Sequence, residues 1–410
     1  MHPQPDPAPP SAPPPAPAAM EVPLPAPGTM GPPAEYGRLR RECPVARVRL
    51  PVDADGWFVT RYDDVRALLA DDRLTRPEIT EWPVRPGQAP WDGPGLATMM
   101  ELEGERHTAL RKAIAEPFSA RSIRARRPRM RRLADGVLDA FEQGGSPGDL
   151  VTGFAEPFPL LVACDLTGIP YDEADRFLEP ADSALGAMMT LEQGREATGV
   201  LRGYLSELIG RKRREPADDV LTDLVRRCDT GELTEEDVIC FGLSVLVAGY
   251  RTSTMFIADA ALALLTRPDR LAALRADRSL LPSAVEELLR FLPVMNANVL
   301  LLATEDIEVA GRPVRAGEAV LPAIASANRD PEVFPDADDL VLGRDPNPHL
   351  AFGRGTHNCV GSHLARAELE IALEALLDRF PELTLAAGPG DLPWEDDSPA
   401  KSPLSLPVAW

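Results

Sequence analysis

The sequence predicts a mainly α-helical protein with small β-sheets, and three patterns carry that expectation. Apolar residues recur at intervals of three and four almost without a break from about residue 105 to 290. One stretch, residues 236–265, is apolar nearly all round, as a helix threaded through a core is. Strand-like alternation is confined to short pieces, near residues 45–62 and 307–321. The 410 residues are 44% hydrophobic, enough for one large packed interior, although the length would also admit two or three domains.

Along the chain, residues 1–34 hold 14 of the 44 prolines, interspersed with alanine, and are expected to be a disordered or polyproline leader. Val45, Val48 and Leu50, then Trp57, Val59 and Tyr62, alternate like strands, with Asp55-Gly56 expected as the turn between them. A helical period follows from Tyr62 to Leu69. Residues 77–100 are irregular and rich in Pro, Gly and Trp, and a loop that long inside a domain is usually functional. Leu133, Val137, Leu138 and Phe141, then Leu201, Tyr204, Leu205 and Leu208, mark helices with one buried face. In the middle of the apolar stretch Ala248-Gly249-Tyr250-Arg251-Thr252-Ser253-Thr254 is a polar break, and buried polar groups need partners or a purpose. After residue 290 come the short pieces Ile307–Val309 and Val320–Leu321, an irregular run from Asn328 to Pro348, a Gly-rich loop at 352–361 and an amphipathic helix from His363 to Phe380.

Composition excludes several functions. With 43 basic and 64 acidic residues the net charge is −21, which repels phosphate backbones and anionic lipid, so neither nucleic acid nor membrane is an expected partner. No uninterrupted apolar run reaches the roughly 18 residues of a membrane span, and the N-terminus lacks the basic start and apolar core of a signal peptide, so a cytoplasmic location is expected. The five cysteines are scattered, without CxxC or CxxCH spacing, against a disulfide framework, a zinc ribbon or covalently attached haem. GxxxxGK[ST], HExxH, a strand-GxGxxG-helix unit and internal repeats are all missing.

The Gly-rich loop carries the chemistry. Phe352-Gly353-Arg354-Gly355-Thr356-His357-Asn358-Cys359-Val360-Gly361 sets one cysteine just before a helix. Glycines let the backbone approach a flat object closely. A helix N-terminus favours thiolate over thiol, and thiolate is a nucleophile or a soft metal ligand. Alone, such a cysteine would be read as a small buried hydrophobe. A Cys–His hydrolase built on Cys359 and His357 fails, because the two are only two residues apart in one loop.

In this loop the sequence resembles the cytochrome P450 family, whose haem-loop pattern F-G-x-G-x-H-x-C-x-G is matched at all six fixed positions. Glu287-Leu288-Leu289-Arg290 matches the family's E-x-x-R helix, and Ala248-Gly249-x-x-Thr252 matches the motif of its long buried helix. The resemblance covers about residues 35–410, read as one haem domain, and the wording Asn328-Arg329-Asp330-Pro331 is similar to soluble bacterial members. It implies the P450 fold, haem b (iron protoporphyrin IX), Cys359 as the iron's thiolate ligand, and a monooxygenase. Such an enzyme would hydroxylate or epoxidise a small lipophilic, secondary-metabolite-like substrate with dioxygen and electrons from a ferredoxin and its reductase. Phe352, Gly353, Gly355 and Gly361 would shape and shield the cysteine loop, with amides aimed at the sulfur. Gly249 would leave room for dioxygen. The Thr252 hydroxyl would bond the Ala248 carbonyl, loosen the helix and help deliver protons. His107 and Arg111, one turn apart, with His357, would hold the haem propionates. Glu287 and Arg290 would be structural. The substrate would meet residues 77–100, the stretch near 180–200 with Met188 and Met189, and Val294–Val299.

Three positions depart from the family. The acid that usually precedes the threonine is Arg251, a poor proton relay, which either turns to an acid on a neighbouring helix or holds an anionic substrate group. The arginine that usually stands just ahead of Ala303-Thr304-Glu305-Asp306 and binds a propionate is Leu301. The segment that usually offers Arg-Phe offers Asp339-Leu340, leaving Glu287 and Arg290 without their usual third partner. Arg251 keeps open an atypical or peroxide-using P450, and a non-catalytic P450-like auxiliary protein is a further alternative that the presence of Cys359 disfavours. Finally, seven arginines between Arg121 and Arg132 reverse the local charge and form either a ferredoxin-docking face or a solvated helix bridged to acids.

Overall fold

The computed structural model describes residues 19–410 apart from 24, 27, 51–54, 77–97, 186–190, 294–298 and 395–401. Its first elements are β1 (Met20–Glu21), α1 (Ala34–Glu42), β2 (Val45–Arg49), β3 (Asp55–Val59), α2 (Tyr62–Leu68) and β4 (Leu74–Thr75). Alternation makes β2 and β3 strands: Val45, Val48, Phe58 and Val59 are all buried. Asp55-Gly56 is not the turn between them. Both residues lie inside β3, opposite Arg49 and Val48. The stretch expected as a leader is also partly built into the fold: β1 runs parallel to β2, and the Tyr36 hydroxyl donates to the Pro23 carbonyl at 3.1 Å.

The helical body comprises α3 (Gly104–Ile114), α4 (Ala120–Gln143), the short strand β5 (Gly148–Asp149), α5 (Pro157–Thr167), α6 (Leu178–Leu185), α7 (Leu191–Arg214), α8 (Val220–Asp229), α9 (Glu235–Ser244), α10 (Arg251–Leu265), α11 (Pro268–Ala276) and α12 (Leu281–Phe291). A capping box between Thr234 and Asp237 starts α9. A π-helical turn, Val245–Gly249, joins it to α10. Taken together, Glu235–Leu265 is long and apolar enough to cross a membrane, which the search for an uninterrupted apolar run did not anticipate; most of it is buried inside the protein, as a core helix is.

The last part contains β6 (Leu301–Ala303), β7 (Ile307–Val309), β8 (Arg312–Val314), β9 (Ala319–Pro322), α13 (Ile324–Ala327), α14 (Ser362–Arg379), β10 (Thr384–Leu385) and β11 (Pro407–Ala409). Six strands form one sheet in the order β1-β2-β3-β9-β6-β4, three form β10-β11-β5, and β7-β8 is a hairpin. At the edge of the large sheet β4 runs antiparallel to β6, with Leu74 opposite Ala303 and Thr75 opposite Leu302. In the helical body α14 packs against α4, α10 and α12. A buried carboxyl couples two of these: Glu368 on α14 accepts from the Ser253 hydroxyl on α10 at 2.6 Å. The fold is mainly helical with small sheets, as expected.

Candidate active site

The loop before α14 is closed on itself. The Cys359 N–H donates to the Phe352 carbonyl at 2.9 Å, and the Gly353 N–H to the Leu350 carbonyl at 2.8 Å. The Asn358 amide donates to the Phe352 and Gly353 carbonyls, both at 3.3 Å. Gly355 has φ +74°, and a Cβ there would lie 2.5 Å from the Leu69 carbonyl oxygen, so the loop presses on the end of α2 at a point that only glycine tolerates. Gly361 is the N-cap of α14, and its N–H donates to the Cys359 sulfur.

Cys359 is accessible to solvent although protein atoms surround it on most sides. Burial raises its thiol pKa above the ordinary value, against the pull of the Gly361 N–H, Arg111 and Arg366. Coordination to a metal is what removes the proton of such a thiol.

On the core helix, Val245, Ala248, Gly249 and Thr252 are accessible, as are Ser244 and Arg251, while the rest of Phe241–Leu264 is buried. Their spacing puts them on one face, so the helix presents an open stripe to the interior. The Thr252 hydroxyl donates to the Ala248 carbonyl at 2.9 Å, at the π-helical turn, as the motif implied. A Cβ on Gly249 would meet nothing nearer than a Val245 methyl at 3.5 Å, so there is open space beside it. Arg251 is half-buried at the start of α10.

The expected propionate-binding residues meet. The rings of His107 (α3) and His357 (cysteine loop) lie 4.4 Å apart. Arg111 is close enough to act electrostatically on both and on Cys359. Two residues join that sequence reasoning did not name. Arg76, just after β4, lowers the pKa of both histidines, and Glu103 sits 3.2 Å from His357 Nε2. The His357–Glu103 pair is within ion-pair distance, but its angles do not make a hydrogen bond, and His357 Nε2 counts among the unpartnered atoms with His107 Nδ1 and Arg76 Nε. Burial, then His357 and Arg111, push His107 down to about 4, so it is neutral at physiological pH. Burial alone would raise the Glu103 carboxyl, but the Arg76 backbone N–H and His357 hold it below its ordinary value. Arg76 Nε and two imidazole nitrogens, all buried and without hydrogen-bond partners, make with the Arg111 guanidinium a pocket for carboxylates. A cavity of about 780 Å³ opens beside it, lined among others by Arg76, Glu103, Leu301 and His357.

The cytochrome P450 family model matches residues 188–389. The chain is 43% identical over 92% of its length to nocardicin C N-oxygenase of Nocardia uniformis subsp. tsuyamanensis, covering 94% of that protein. It is 40% identical to mycinamicin IV hydroxylase/epoxidase of Micromonospora griseorubida over 92% of this chain and 94% of that one. The crystal structure of the LnmA cytochrome P450 hydroxylase from the leinamycin pathway of Streptomyces atroolivaceus superposes with a TM-score of 0.84 at 41% identity, over 93% of this chain and 97% of that one. The chain belongs to the cytochrome P450 family. It is a haem-dependent oxidoreductase of the monooxygenase kind, and its relatives supply the same fold.

This P450 has residues that fit haem: one accessible thiol over a glycine loop, an open helix face, and unpartnered donors for two carboxylates. When bound, haem supplies thiolate-ligated iron for dioxygen activation.

Behind the loop, Glu287 and Arg290 are fully buried and bonded twice, at 2.7 and 2.8 Å. Their third partner is present, contrary to expectation. Arg344 donates to Glu287 at 3.0 Å, with the Val341 N–H at 2.8 Å, while Arg290 caps the carbonyls of Asn328, Ala337 and Asp339. Sequence reasoning sought that partner at Asp339-Leu340, five residues too early; the chain turns there and offers the Asp339 carbonyl instead. It also missed Glu286, which binds Arg366 at 2.6 Å and His349 at 3.0 Å, with the Arg366 guanidinium 4.5 Å from the Phe352 ring. The adjacency of Glu286 to the E-x-x-R motif was the available signal. Most of the expected substrate contacts, residues 77–97, Met188, Met189 and 294–298, lie outside the described residues.

Proposed function

We propose that this P450 hydroxylates or epoxidises a small lipophilic secondary metabolite in the cytoplasm, with electrons from a ferredoxin and its reductase. Residues 35–410 are read as one haem domain. Cys359 is the axial ligand, and Phe352, Gly353, Gly355 and Gly361 are its supporting loop. His107, Arg111 and His357 hold the propionates. Ala248 and Gly249 keep the oxygen side open, and Thr252 carries a proton at Oγ1. Arg251 stands where an acid usually stands and has no proton to give, so proton delivery falls to Thr252 and water.

The observation that carries this reading is the pairing of an accessible Cys359, hydrogen-bonded by the Gly361 N–H, with an accessible Ala248–Gly249–Thr252 stripe on a mostly buried helix. Relatives named for the N-oxygenation of nocardicin C and the hydroxylation or epoxidation of mycinamicin IV support the substrate class. Neither the peroxide-using nor the auxiliary alternative gains an observation among the described residues.

The test is the absorption spectrum of the reduced, carbon-monoxide-treated holoprotein. The wild type should show the red-shifted band of thiolate ligation, and Cys359→Ala should lose it. Persistence of the band in the variant would remove Cys359 as ligand. Binding of candidate metabolites to the ferric wild type is then read from the same spectrum.

A further inference from the structure

We infer that Arg76 is a haem-propionate anchor that takes over, from the neighbouring strand, the place left by Leu301; this rests on the haem site proposed above. The register carries the argument. β4 and β6 run antiparallel with Leu74 opposite Ala303 and Thr75 opposite Leu302. One step further along the same ladder puts Arg76 opposite Leu301. Residues directly opposite in an antiparallel pair project to the same face with Cβ atoms about 5 Å apart. An arginine lost on one strand is thus matched by an arginine gained beside it.

Four further observations agree. Arg76 Nε is buried and has no hydrogen-bond partner among the described residues. Arg76 and Leu301 line the same cavity as His357. The guanidinium lies within electrostatic range of both His107 and His357. Its own backbone N–H donates to Glu103 Oε1 at 2.9 Å, which fixes the residue to the start of α3.

Charge supports the same reading. Two propionates bring two negative charges to a cluster that already holds the Glu103 carboxylate, 3.2 Å from His357 Nε2. The Arg76 guanidinium adds a second cation beside Arg111, and the unpartnered Arg76 Nε and His107 Nδ1 lie in the same cluster. Arg76 acts on haem by position and charge, as a positioning residue.

The experiment is transfer of haem from the holoprotein to excess apomyoglobin, followed by absorbance, in the wild type, Arg76→Leu, Arg76→Lys and the transposed pair Arg76→Leu/Leu301→Arg. Loss of one charge-assisted contact corresponds to about a 10- to 150-fold change in affinity. Arg76→Leu should therefore release haem at least about ten times faster, Arg76→Lys should lie between it and the wild type, and the transposed pair should recover most of the loss. The haem reduction potential should fall in Arg76→Leu and return in the transposed pair, since removing a cation beside the haem disfavours the added electron. Release from Arg76→Leu at the wild-type rate would overturn the inference, as would a transposed pair no better than the single variant. A wild type that takes up no haem would instead sink the haem-site reading itself.

Discussion

Glu368 is a carboxyl group in the wrong solvent. It is fully buried on α14, with the Ser253 hydroxyl as its partner. Burial pushes its pKa up to about 8 from an ordinary 4.5, against the smaller pull of that hydrogen bond. A raised carboxyl pKa means the folded protein keeps a proton that the unfolded chain has already released. Its effect is absent below about pH 4.5, and stability is lost progressively as the pH rises through the window to about 8. Glu368→Gln keeps an acceptor for Ser253 and cannot ionise. Urea unfolding of both proteins at pH 5 and pH 8 should show the variant gaining on the wild type at the higher pH, by several kcal/mol if the full shift is expressed. An equal difference at the two pH values would mean that Glu368 does not titrate in this range. Residues of this kind separate what was legible in the sequence from what was not. The cysteine loop could be read because its six fixed positions lie within ten residues, so sequence spacing is also spatial spacing. Glu368 and Ser253, or Arg76 and His357, meet only through the fold, and no local pattern joins them.

At the scale of elements, the core helix shows how much periodicity can and cannot say. Its apolar residues placed it in the interior, and its polar break marked the place where the winding changes; the π-helical turn of Val245–Gly249, whose Ala248 carbonyl accepts from Thr252, has no signature in the periodicity. The Asp55-Gly56 pair misled, since a turn dipeptide was enlisted as the first two residues of β3. The irregular run from Asn328 to Pro348 is the element most underestimated. It is held to α12 by a polar network centred on Glu287, to which Arg290, Arg344, the Val341 N–H and the Asn347 amide all donate. Glu287 is fully buried and Arg344 nearly so. Removing one cation leaves a buried carboxylate short of a partner, which typically costs 3–5 kcal/mol, and less where a second guanidinium stays. Arg344→Leu, with Arg290 still in place, should therefore destabilise the protein by about 2 kcal/mol in chemical unfolding. It should also loosen the segment that carries His349 and Leu350 toward the cysteine loop, read as faster amide exchange there. A loss below about 1 kcal/mol would show that Arg290 alone satisfies Glu287.

For the whole molecule, the question is how a protein of net charge −21 receives electrons from a partner that, if it is a ferredoxin, is itself acidic. Like charges slow encounter, so a local reversal of sign has to guide it. The arginines of α4 form one dense basic segment of the sequence, Arg211–Arg214 at the end of α7 being another, and the structure divides six of the seven. Arg127 binds Glu370 at 2.7 Å, Arg129 binds Asp165, and Arg131 reaches Asp135, Glu374 and Asp378. These three are bridged to acids, mostly on α14 and α5, so the solvated-helix reading holds for them. Arg121, Arg124 and Arg132 are exposed and make no ion pair among the described residues. Three and then eight residues apart, they fall on one outward stripe of the helix. The division predicts two different outcomes. Changing Arg121, Arg124 and Arg132 to Glu should slow reduction by ferredoxin several-fold and flatten its dependence on salt, which screens steering over about 8–10 Å, while leaving unfolding almost unchanged. Changing Arg127 and Arg131 to Glu should instead weaken the α4–α14 contact and lower the unfolding midpoint. Stopped-flow reduction across an ionic-strength series, beside thermal unfolding of the same variants, distinguishes the two. If reduction by the wild type ignores salt and the triple variant reduces normally, the partner docks elsewhere and the stripe only solvates the helix.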